Sequence, residues 1–211
     1  MRLKILGLSV LIGLVIALPV GLVLVNMFDD DKQNLAVVNR LQTHQDQPFD
    51  SDAYLDDGKQ ALIYFGYTSC PDICPPTLLV LADALDQMDP EMAARIVPVF
   101  VSVDPARDTP QVLEEYVQLF HPSLVGLTGA MGDIKSFAEL NQIRFSEDVH
   151  GDHSHHGHGD HNHGAHGDDG TFYTISHTSQ FILMDEHGAR RAIPAFPSAV
   201  MLKAKLLEHI S

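Results

Sequence analysis

A buried strand, a loop that holds both cysteines and a helix follow one another directly near the middle of the chain. Residues 61–67 (ALIYFGY) form a short apolar and aromatic run, as expected for a strand buried in a sheet. The loop with Cys70 and Cys74 comes next, and residues 75–88 have prolines in a first helical turn and apolar residues at helical spacing. Such a junction places thiols at the carboxyl end of a strand, beside a helix N-terminus that stabilises thiolates.

The elements predicted after this junction alternate between strands and helices. Short apolar runs bounded by turn residues favour buried strands, and apolar residues at helical spacing favour helices. Strand and helix pairs that end in a hairpin and a helix predict an α/β domain with a mixed central sheet flanked by helices, as in a thioredoxin-like fold. We predict strands over residues 96–103, 124–127, 178–185 and 189–193, and helices over 111–120, 131–141 and 198–210.

The N-terminal region predicts a membrane anchor. Residues 5–25 are almost wholly apolar and long enough to cross a bilayer as a helix. Arg2 and Lys4 precede this run and three aspartates follow it, so the positive-inside rule places the rest of the chain on the far side of the membrane. The alternative, a cleaved signal peptide, would need a shorter apolar core and a small-residue cleavage site, which residues 26–31 (NMFDDD) do not offer.

These features divide the chain into an anchor, a connecting segment and a domain. We predict a single-pass anchor over residues 1–28, a polar linker and N-terminal segment over 29–58, and the thioredoxin-like domain over 59–211. The expected location is the cytoplasmic (inner) membrane of a bacterium, with the soluble domain on the periplasmic side. The net charge of −15 excludes nucleic acid as a partner, because phosphate binding needs clustered lysines and arginines.

Cys70 and Cys74 are the only cysteines in the chain, and three residues separate them. A disulfide between them would close a loop too small to stabilise a domain strongly, so stability is not their expected purpose. If the loop coils, the two sulfurs lie one helical turn apart on the same side and form a soft clamp for Cu(I) or Zn(II). The same pair can also act as a redox dithiol, and the spacing alone does not choose.

His177 is the candidate third ligand. It stands just before the strand predicted over residues 178–185, and in a thioredoxin-like fold the start of that strand lies against the cysteine loop. Thiol oxidoreductases of this fold normally place a cis-proline there, whereas this chain has His177 followed by Thr178. An imidazole opposite two thiolates completes a Cys₂His set that suits Cu(I) and can be extended for Cu(II). The alternative is a surface histidine that only forms hydrogen bonds.

Three segments of the chain resemble one protein family. FGYTSCPDICPPTL, SVDPARDTP and SHTSQFILMDEHG are similar to motifs of the Sco/SenC family of copper-binding, membrane-tethered proteins, and the resemblance covers residues 62–210. It implies a thioredoxin-like domain that helps to assemble the dinuclear copper centre of cytochrome c oxidase. It also implies that copper, as Cu(I) or Cu(II), is held by Cys70, Cys74 and His177.

The resemblance further implies partners and one supporting residue. The expected partners are the copper-binding subunit of cytochrome c oxidase, and a copper donor protein or a thiol reductant. Asp104, in the segment SVDPARDTP, would orient a metal ligand or contribute to partner recognition. The alternative for Asp104 is structural, since an Asp-Pro pair at the end of a strand turns the chain.

Residues 150–170 interrupt the pattern with a histidine-rich insertion. Interleaved glycine and aspartate make this insertion unable to pack, and neutral imidazoles at this density can chelate Cu(II), Zn(II) or Ni(II). Placed just before His177, the insertion would raise the local concentration of zinc or additional copper beside the cysteine clamp. The alternative is a tolerated low-complexity segment without a role. The histidines of this secondary site are His150, His153, His155, His156, His158, His161, His163 and His166.

Three classes of function remain after these observations. The first is a copper metallochaperone, which is not an enzyme and uses both cysteines and His177. The second is a thiol–disulfide oxidoreductase that keeps the cysteines of the oxidase copper site reduced, uses only Cys70 and Cys74, and carries the histidine-rich insertion as a metal scavenger. The third, a peroxidase of related fold, is disfavoured because its thiols normally lack this arrangement with a late histidine. We favour copper binding with some thiol-redox capacity.

Overall fold

The core of the chain is a six-stranded mixed sheet. The computed structural model describes residues 30–149, 173–177 and 180–210, and for residues 146–149 and 173–177 it describes the backbone. The strands are β1 (Gln42–Thr43), β2 (Gln60–Gly66), β3 (Ile96–Ser102), β4 (Val125–Thr128), β5 (Phe145–Val149), β6 (Tyr173–His177), β7 (Gln180–Met184) and β8 (Arg190–Pro194). Six of them form the sheet in the order β1-β4-β3-β2-β7-β8, while β5 and β6 pair with each other.

Helices flank this sheet. They are α1 (residues 30–38), α2 (Ser51–Tyr54), α3 (Cys74–Asp86), α4 (Pro90–Ala93), α5 (Pro110–Gln118), α6 (Met131–Leu140) and α7 (Ala199–Ile210), with a 3₁₀ turn at Asp56–Gly58. Helix α3 packs against α7, and α5 packs against β4. Strand β2 is buried from Ala61 to its end, which shows that both of its faces are covered. The predicted mixed sheet flanked by helices is therefore confirmed.

The direction of the strands determines where the loops meet. Strands β2, β3 and β4 are parallel to one another. Strand β1 is antiparallel to β4, β7 is antiparallel to β2, and β8 is antiparallel to β7. The loops that follow β2, β3 and β4 consequently lie at one edge of the sheet, which we call the carboxyl edge. In open α/β sheets this is the edge at which ligands bind. The loop with both cysteines lies there, because it follows β2.

The hydrophobic core explains why these segments form the sheet. Its largest fully buried side chains include Tyr64 and Phe65 of β2, Phe100 of β3, Phe137 of α6 and Phe181 of β7. The rings form tilted contacts, with centroids 5.3 Å apart for Tyr64 and Phe181 and 5.6 Å apart for Phe65 and Phe137. Each such side chain contributes about 1.5–3 kcal/mol when it is removed from water. The aromatic run that predicts β2 is thus the centre of the core.

The structure differs from the sequence prediction in the segment that leads into the domain. We predict a polar linker and N-terminal segment over residues 29–58, and its described part, from residue 30, packs onto the sheet. Val37, Val38 and Leu41 are buried, and β1 pairs with β4 and so forms one edge of the sheet. Asp30 and Asp31 at the start of α1 face Arg190, at 4.0 and 3.8 Å. Acidic residues in this segment outnumber the apolar ones that α1 buries. The segment therefore resembles a linker when only its sequence is considered.

The predicted anchor lies outside the described residues. Within residues 30–149, 173–177 and 180–210, no helix is both long enough and apolar enough to span a bilayer. The insertion at 150–170 also lies outside them. The two strands that border it, β5 and β6, are absent from the sequence prediction, because FSEDV and YTISH carry no strong apolar pattern.

We expect substitution of Gly188 to show that α1 belongs to the folded domain. Gly188 lies in the turn between β7 and β8 with φ +84°, and a Cβ added there would lie 2.0 Å from the carbonyl oxygen of Asp31. Gly188→Ala should lower the free energy of unfolding by about 1–3 kcal/mol, because alanine is strained at this φ and displaces α1. Gly132→Ala is the matched control: a Cβ there meets nothing within 4 Å, so helix propensity should raise stability by up to about 1 kcal/mol. Urea denaturation followed by circular dichroism measures both changes. Equal midpoints for Gly188→Ala and the parent would contradict the packing.

Candidate metal centre

The two cysteines lie where β2 gives way to α3. The amide of Cys70 donates to the carbonyl of Tyr67 (3.2 Å), which turns the chain, and Cys74 is the first residue of α3. Two prolines follow at the first helical positions, where a missing N–H costs no hydrogen bond. Cys70 is 7% exposed and Cys74 is fully buried, and no disulfide joins them. The loop therefore holds two reduced thiols at a helix N-terminus.

The two thiols differ in acidity. Burial opposes ionisation of Cys70, but hydrogen bonds from the amide and thiol of Cys74 and from the amides of Ile73 and Asp72 outweigh it and lower the pKa of Cys70. Burial raises the pKa of Cys74 to about 12, although the Tyr67 backbone and the Tyr64 hydroxyl oppose this rise. Cys70 is consequently the thiol that ionises first, with Cys74 as a hydrogen-bond donor to its sulfur.

A glycine allows the Cys74 sulfur to lie against the end of β2. A Cβ added to Gly66 would lie 2.7 Å from the Cys74 Sγ and 2.8 Å from the Phe100 ring. Any larger residue would displace the sulfur, the ring or both. Gly66 belongs to the segment FGYTSCPDICPPTL, but its role could not be predicted, because a close approach between β2 and α3 leaves no local signal in the sequence.

Asp108 links the cysteine loop to the end of β3. Its buried carboxylate accepts hydrogen bonds from the amide of Thr68 (3.0 Å), the hydroxyl of Thr68 (2.6 Å) and the hydroxyl of Ser102 (2.6 Å). Burial raises the pKa of Asp108, and the hydrogen bonds from Ser102 and Thr68 oppose this rise. Three donors on one carboxylate hold the start of the cysteine loop in place.

Asp104 is buried in the same loop, between β3 and α5. Its side chain forms an ion pair with Arg107, and its amide donates to the hydroxyl of Ser102 (3.0 Å). Its carbonyl accepts from the amides of Arg107 (3.1 Å) and Asp108 (2.9 Å), so the residue shapes the turn after β3. These contacts support the structural alternative for Asp104, and its role in orienting a metal ligand stays a prediction.

The backbone carries His177 towards the cysteine loop. His177 is the last residue of β6, opposite Phe145 of β5, and β7 begins three residues later at Gln180. Phe181 of β7 is paired with Tyr64 of β2, so the chain that enters β7 arrives at the carboxyl edge, where the cysteine loop begins. Among the described residues no group of three histidine, cysteine, aspartate or glutamate side chains could hold a metal ion. The His177 side chain and the insertion histidines lie outside the described part of the chain, so the ligand set stays a prediction.

The chain is similar in sequence and in fold to known proteins. The SCO1/SenC family model matches residues 29–199. The chain is 50% identical over 88 residues to Protein SCO1 homolog 1, mitochondrial, of Arabidopsis thaliana, which covers 42% of this chain and 26% of that protein. The chain thus spans about a quarter of the length of that relative.

Solved structures extend the similarity to most of the chain. Yeast Sco1 with copper bound is similar with a TM-score of 0.64 and 30% identity, over 81% of this chain and 84% of that one. Bradyrhizobium japonicum ScoI with copper bound is similar with a TM-score of 0.62 and 26% identity, over 80% and 95% of the two chains. The similarity supports the predicted thioredoxin-like fold. Sco proteins are a family of cytochrome c oxidase assembly proteins.

We expect the two thiols to react in a fixed order with a neutral alkylating agent. Thiolates are the reactive species, so the lowered pKa of Cys70 predicts alkylation by iodoacetamide at a lower pH than for an ordinary thiol, while Cys74 stays unmodified. Peptide mass spectrometry of the reduced protein over a pH series measures both rates. Cys70→Ser should leave a protein that reacts slowly at every pH below about 9. Faster modification of Cys74 than of Cys70 would contradict the assignment.

We expect Asp108→Ala to destabilise the cysteine loop and Asp108→Asn to be tolerated. Alanine leaves two donors of Thr68 and one of Ser102 without a partner, a loss of about 1–3 kcal/mol. The asparagine oxygen can still accept from the Thr68 amide and the Ser102 hydroxyl, and its NH₂ group can donate to the Thr68 hydroxyl, which rotates to accept. The raised pKa of Asp108 means that the folded state binds its proton more tightly, so stability at this position falls as pH rises through the window just above the unfolded pKa. Asparagine lacks this dependence, so its stability relative to the parent should increase across that window. Urea denaturation at several pH values measures the difference, and equal losses for both variants would contradict the hydrogen-bond account.

Proposed function

The chain belongs to the SCO1/SenC family, and from this premise we propose that it is a membrane-anchored copper metallochaperone for cytochrome c oxidase. The proposed ligands of the copper cargo are Cys70, Cys74 and His177, and the proposed recipient is the copper-binding subunit of the oxidase. The observation that carries the proposal is the pair of thiols, not joined by a disulfide, at the junction of β2 and α3, of which Cys70 is the more acidic. A reduced thiol pair at a helix N-terminus is suited to a soft monovalent ion.

The chemistry of the pair fits a cargo that must be both held and released. Cys70 supplies a thiolate readily, whereas Cys74 must lose a firmly held proton before its sulfur can bind copper. Copper loading therefore releases a proton, and an incoming thiol or imidazole of the recipient can replace the ligands one at a time. The slight exposure of Cys70 makes it the ligand that a donor protein or the recipient reaches first.

Thiol–disulfide exchange is the second candidate function, and one observation favours it. An acidic, slightly exposed cysteine followed by a buried, less acidic one is the arrangement of a dithiol reductant. The Cys70 thiolate would attack a disulfide of the oxidase subunit and release one partner thiolate. The Cys74 thiol, after losing its proton, would then attack the mixed disulfide, leaving Cys70 and Cys74 oxidised and the partner reduced.

The proposed anchor would enter the domain far from the cysteines. Ala61 at the start of β2 is opposite Met184 at the end of β7, so the turn after β7 lies at the edge of the sheet opposite the carboxyl edge. The start of α1 packs on this turn, where the side chain of Asn34 donates to the carbonyl of Gly188 (3.5 Å). A helix preceding α1 in a bacterial inner membrane would therefore leave the cysteine loop facing the periplasm, where the oxidase subunit can reach it.

The histidine-rich insertion is proposed to gather metal for the same site. It joins β5 to β6, and β6 ends at His177. A chelating segment tethered at this point raises the concentration of copper or zinc beside the cysteines without any direct contact. Its imidazoles lose metal when mild acid protonates them, near the ordinary pKa of about 6.5.

An anaerobic Cu(I) titration of the reduced full chain against a competing chelator tests the proposal. We expect one tightly bound Cu(I) per chain, and an affinity at least about tenfold lower in His177→Ala, because one ligand is lost. His187→Ala is the matched control, since His187 lies in the turn after β7 with a side chain that is 81% exposed. Deletion of residues 150–166 should leave the tight site intact.

The same titration can also favour the second candidate function, thiol–disulfide exchange. Weak binding that is indifferent to His177→Ala and disappears with residues 150–166 would contradict the chaperone assignment. It would instead indicate a thiol reductant that carries a separate metal-binding segment.

A further inference from the structure

The side chain of Tyr116 ends in a buried hydroxyl without a partner. Tyr116 lies near the C-terminal end of α5, and its ring packs against Phe100 and Phe120, with centroids 5.4 and 5.0 Å apart. Its hydroxyl is shielded from solvent and forms no hydrogen bond with any residue that the structure describes. Leaving such a group unpaired costs about 1–3 kcal/mol. A tyrosine where phenylalanine would pack equally well therefore indicates a use for the hydroxyl.

Helix α5, which carries Tyr116, covers the same face of the sheet as α3, which carries Cys74. Both helices lie in connections between adjacent parallel strands, and such crossovers are right-handed. A Cβ added to Gly66 of β2 would lie 2.7 Å from the Cys74 sulfur, and one added to Gly126 of β4 would lie 3.2 Å from a side chain of α5. Phe100 of β3 is the register partner of Gly126, and Gly66 is the partner of the residue two positions after Phe100. All three therefore point to one face.

The Phe100 ring lies beside both Cys74 and Tyr116. A Cβ added to Gly66 would lie 2.8 Å from this ring and 2.7 Å from the Cys74 sulfur, so the ring and the sulfur are neighbours at the end of β2. The same ring packs against Tyr116. Burial raises the pKa of Tyr116, and the negative charges that Cys74 and Cys70 can carry raise it further. The hydroxyl therefore lies within electrostatic range of both sulfurs and keeps its proton.

A hydrogen-bond donor at this position has a use once the Cys74 sulfur is no longer a thiol. The neutral thiol is fully buried and is a weak acceptor, so it does not need the Tyr116 hydroxyl. A buried thiolate, by contrast, is stable only with donors around it. The Tyr116 hydroxyl can provide one, because rotation about a single bond redirects its proton. Hydrogen bonds to a charged acceptor are roughly twice as strong as those between neutral groups.

We infer that Tyr116 is a positioning residue of the cysteine pair, and that its hydroxyl donates a hydrogen bond to the Cys74 sulfur when that sulfur binds copper or leaves a disulfide. The inference rests on the proposed function, because it concerns the same cysteine pair, but it holds for either candidate role of that pair. Tyr116 acts through Cys74 and binds neither copper nor a substrate disulfide. Groups that orient a ligand in this way typically change metal affinity by about tenfold or more.

Reduction of a Cys70–Cys74 disulfide by dithiothreitol isolates this hydrogen bond from copper. A dithiothreitol thiolate attacks the sulfur of Cys70, the more exposed of the two cysteines, the bond between the cysteines breaks, and Cys74 leaves as a thiolate. The second dithiothreitol thiolate then attacks the mixed disulfide and releases Cys70. The reagent ends as its cyclic disulfide, and the protein gains two electrons and takes protons from water. A hydrogen bond from Tyr116 stabilises the leaving thiolate and so speeds the first step.

The test compares Tyr116→Phe with the parent after oxidation of both full chains. Samples are quenched in acid at intervals, unfolded and alkylated, and mass spectrometry counts the free thiols. We expect Tyr116→Phe to be reduced at least about fivefold more slowly, because phenylalanine keeps the ring packing and removes the donor. Tyr54→Phe is the matched control and should be reduced at the parental rate, since Tyr54 stacks on Phe49 (4.7 Å) in the segment that leads into the start of β2.

Stability and copper affinity separate a positioning role from a structural one. The Tyr116 hydroxyl is unpaired among the described residues, so urea denaturation of reduced Tyr116→Phe should give an unfolding free energy equal to or above the parental value. The affinity for Cu(I), measured against a competing chelator, should fall at least about fivefold. The inference is overturned by a parental reduction rate, by a parental affinity where the parent binds Cu(I) tightly, or by a slower rate that accompanies a loss of stability. If the parent itself binds Cu(I) weakly, the copper proposal fails, while the reduction rates still decide the role of Tyr116.

Discussion

The contact between the first turn of α3 and the end of β2 determines the geometry of the cysteine pair. The Cys74 sulfur lies against Gly66 and the Phe100 ring at a distance that no side chain on residue 66 would permit. This close approach buries Cys74, keeps its thiol protonated and leaves it as a donor to the Cys70 sulfur. The acidity of Cys70 is therefore a consequence of how tightly a helix packs on a strand, and the amides of the helix N-terminus add to it.

The parallel arrangement of β2, β3 and β4 extends this geometry across one edge of the sheet. The loop after β2 carries the thiols, the loop after β3 carries Asp104 and Asp108, and the loop after β4 opens into α6. Asp108 is the residue that joins the first two loops, because its carboxylate accepts from both Thr68 and Ser102. A shift of the loop after β3 would thus reach the cysteine loop through the two hydrogen bonds from Thr68 to Asp108 rather than through the core.

The sequence predicts the parts of this arrangement that have a periodic or compositional signal. Helices α3, α5, α6 and α7 and strands β2, β3, β4, β7 and β8 lie within a few residues of their predicted bounds, because each has an apolar face that only one secondary structure can bury. The position of both cysteines at the junction of β2 and α3 was predictable for the same reason.

The elements that escaped prediction depend on distant partners. Strand β1 has two residues and exists because β4 needs a neighbour, while α1 hides its apolar face among aspartates. Asn34 is buried because Asn141 and Gly188 provide hydrogen bonds from far along the chain. The role of Gly66 and the three donors of Asp108 likewise become visible only when two segments meet. Such contacts leave no pattern in the local sequence. The proposed metal ligands, by contrast, can be predicted from their residue types and spacing alone.

The asymmetry of the thiols links the two candidate functions to one structure. A copper carrier needs both sulfurs as thiolates while it is loaded, and a reductant needs one thiolate at a time. Because Cys74 stays protonated, the empty protein has only one thiolate, as a reductant needs. The binding energy of a soft ion is required to remove the Cys74 proton and produce the two thiolates of a loaded carrier. The imidazole proposed at His177 would contribute to that energy only in the loaded state. Under both proposals, the same pair would act as a reductant when empty and as a clamp when a metal arrives, and the proposed third ligand, His177, would determine which state prevails.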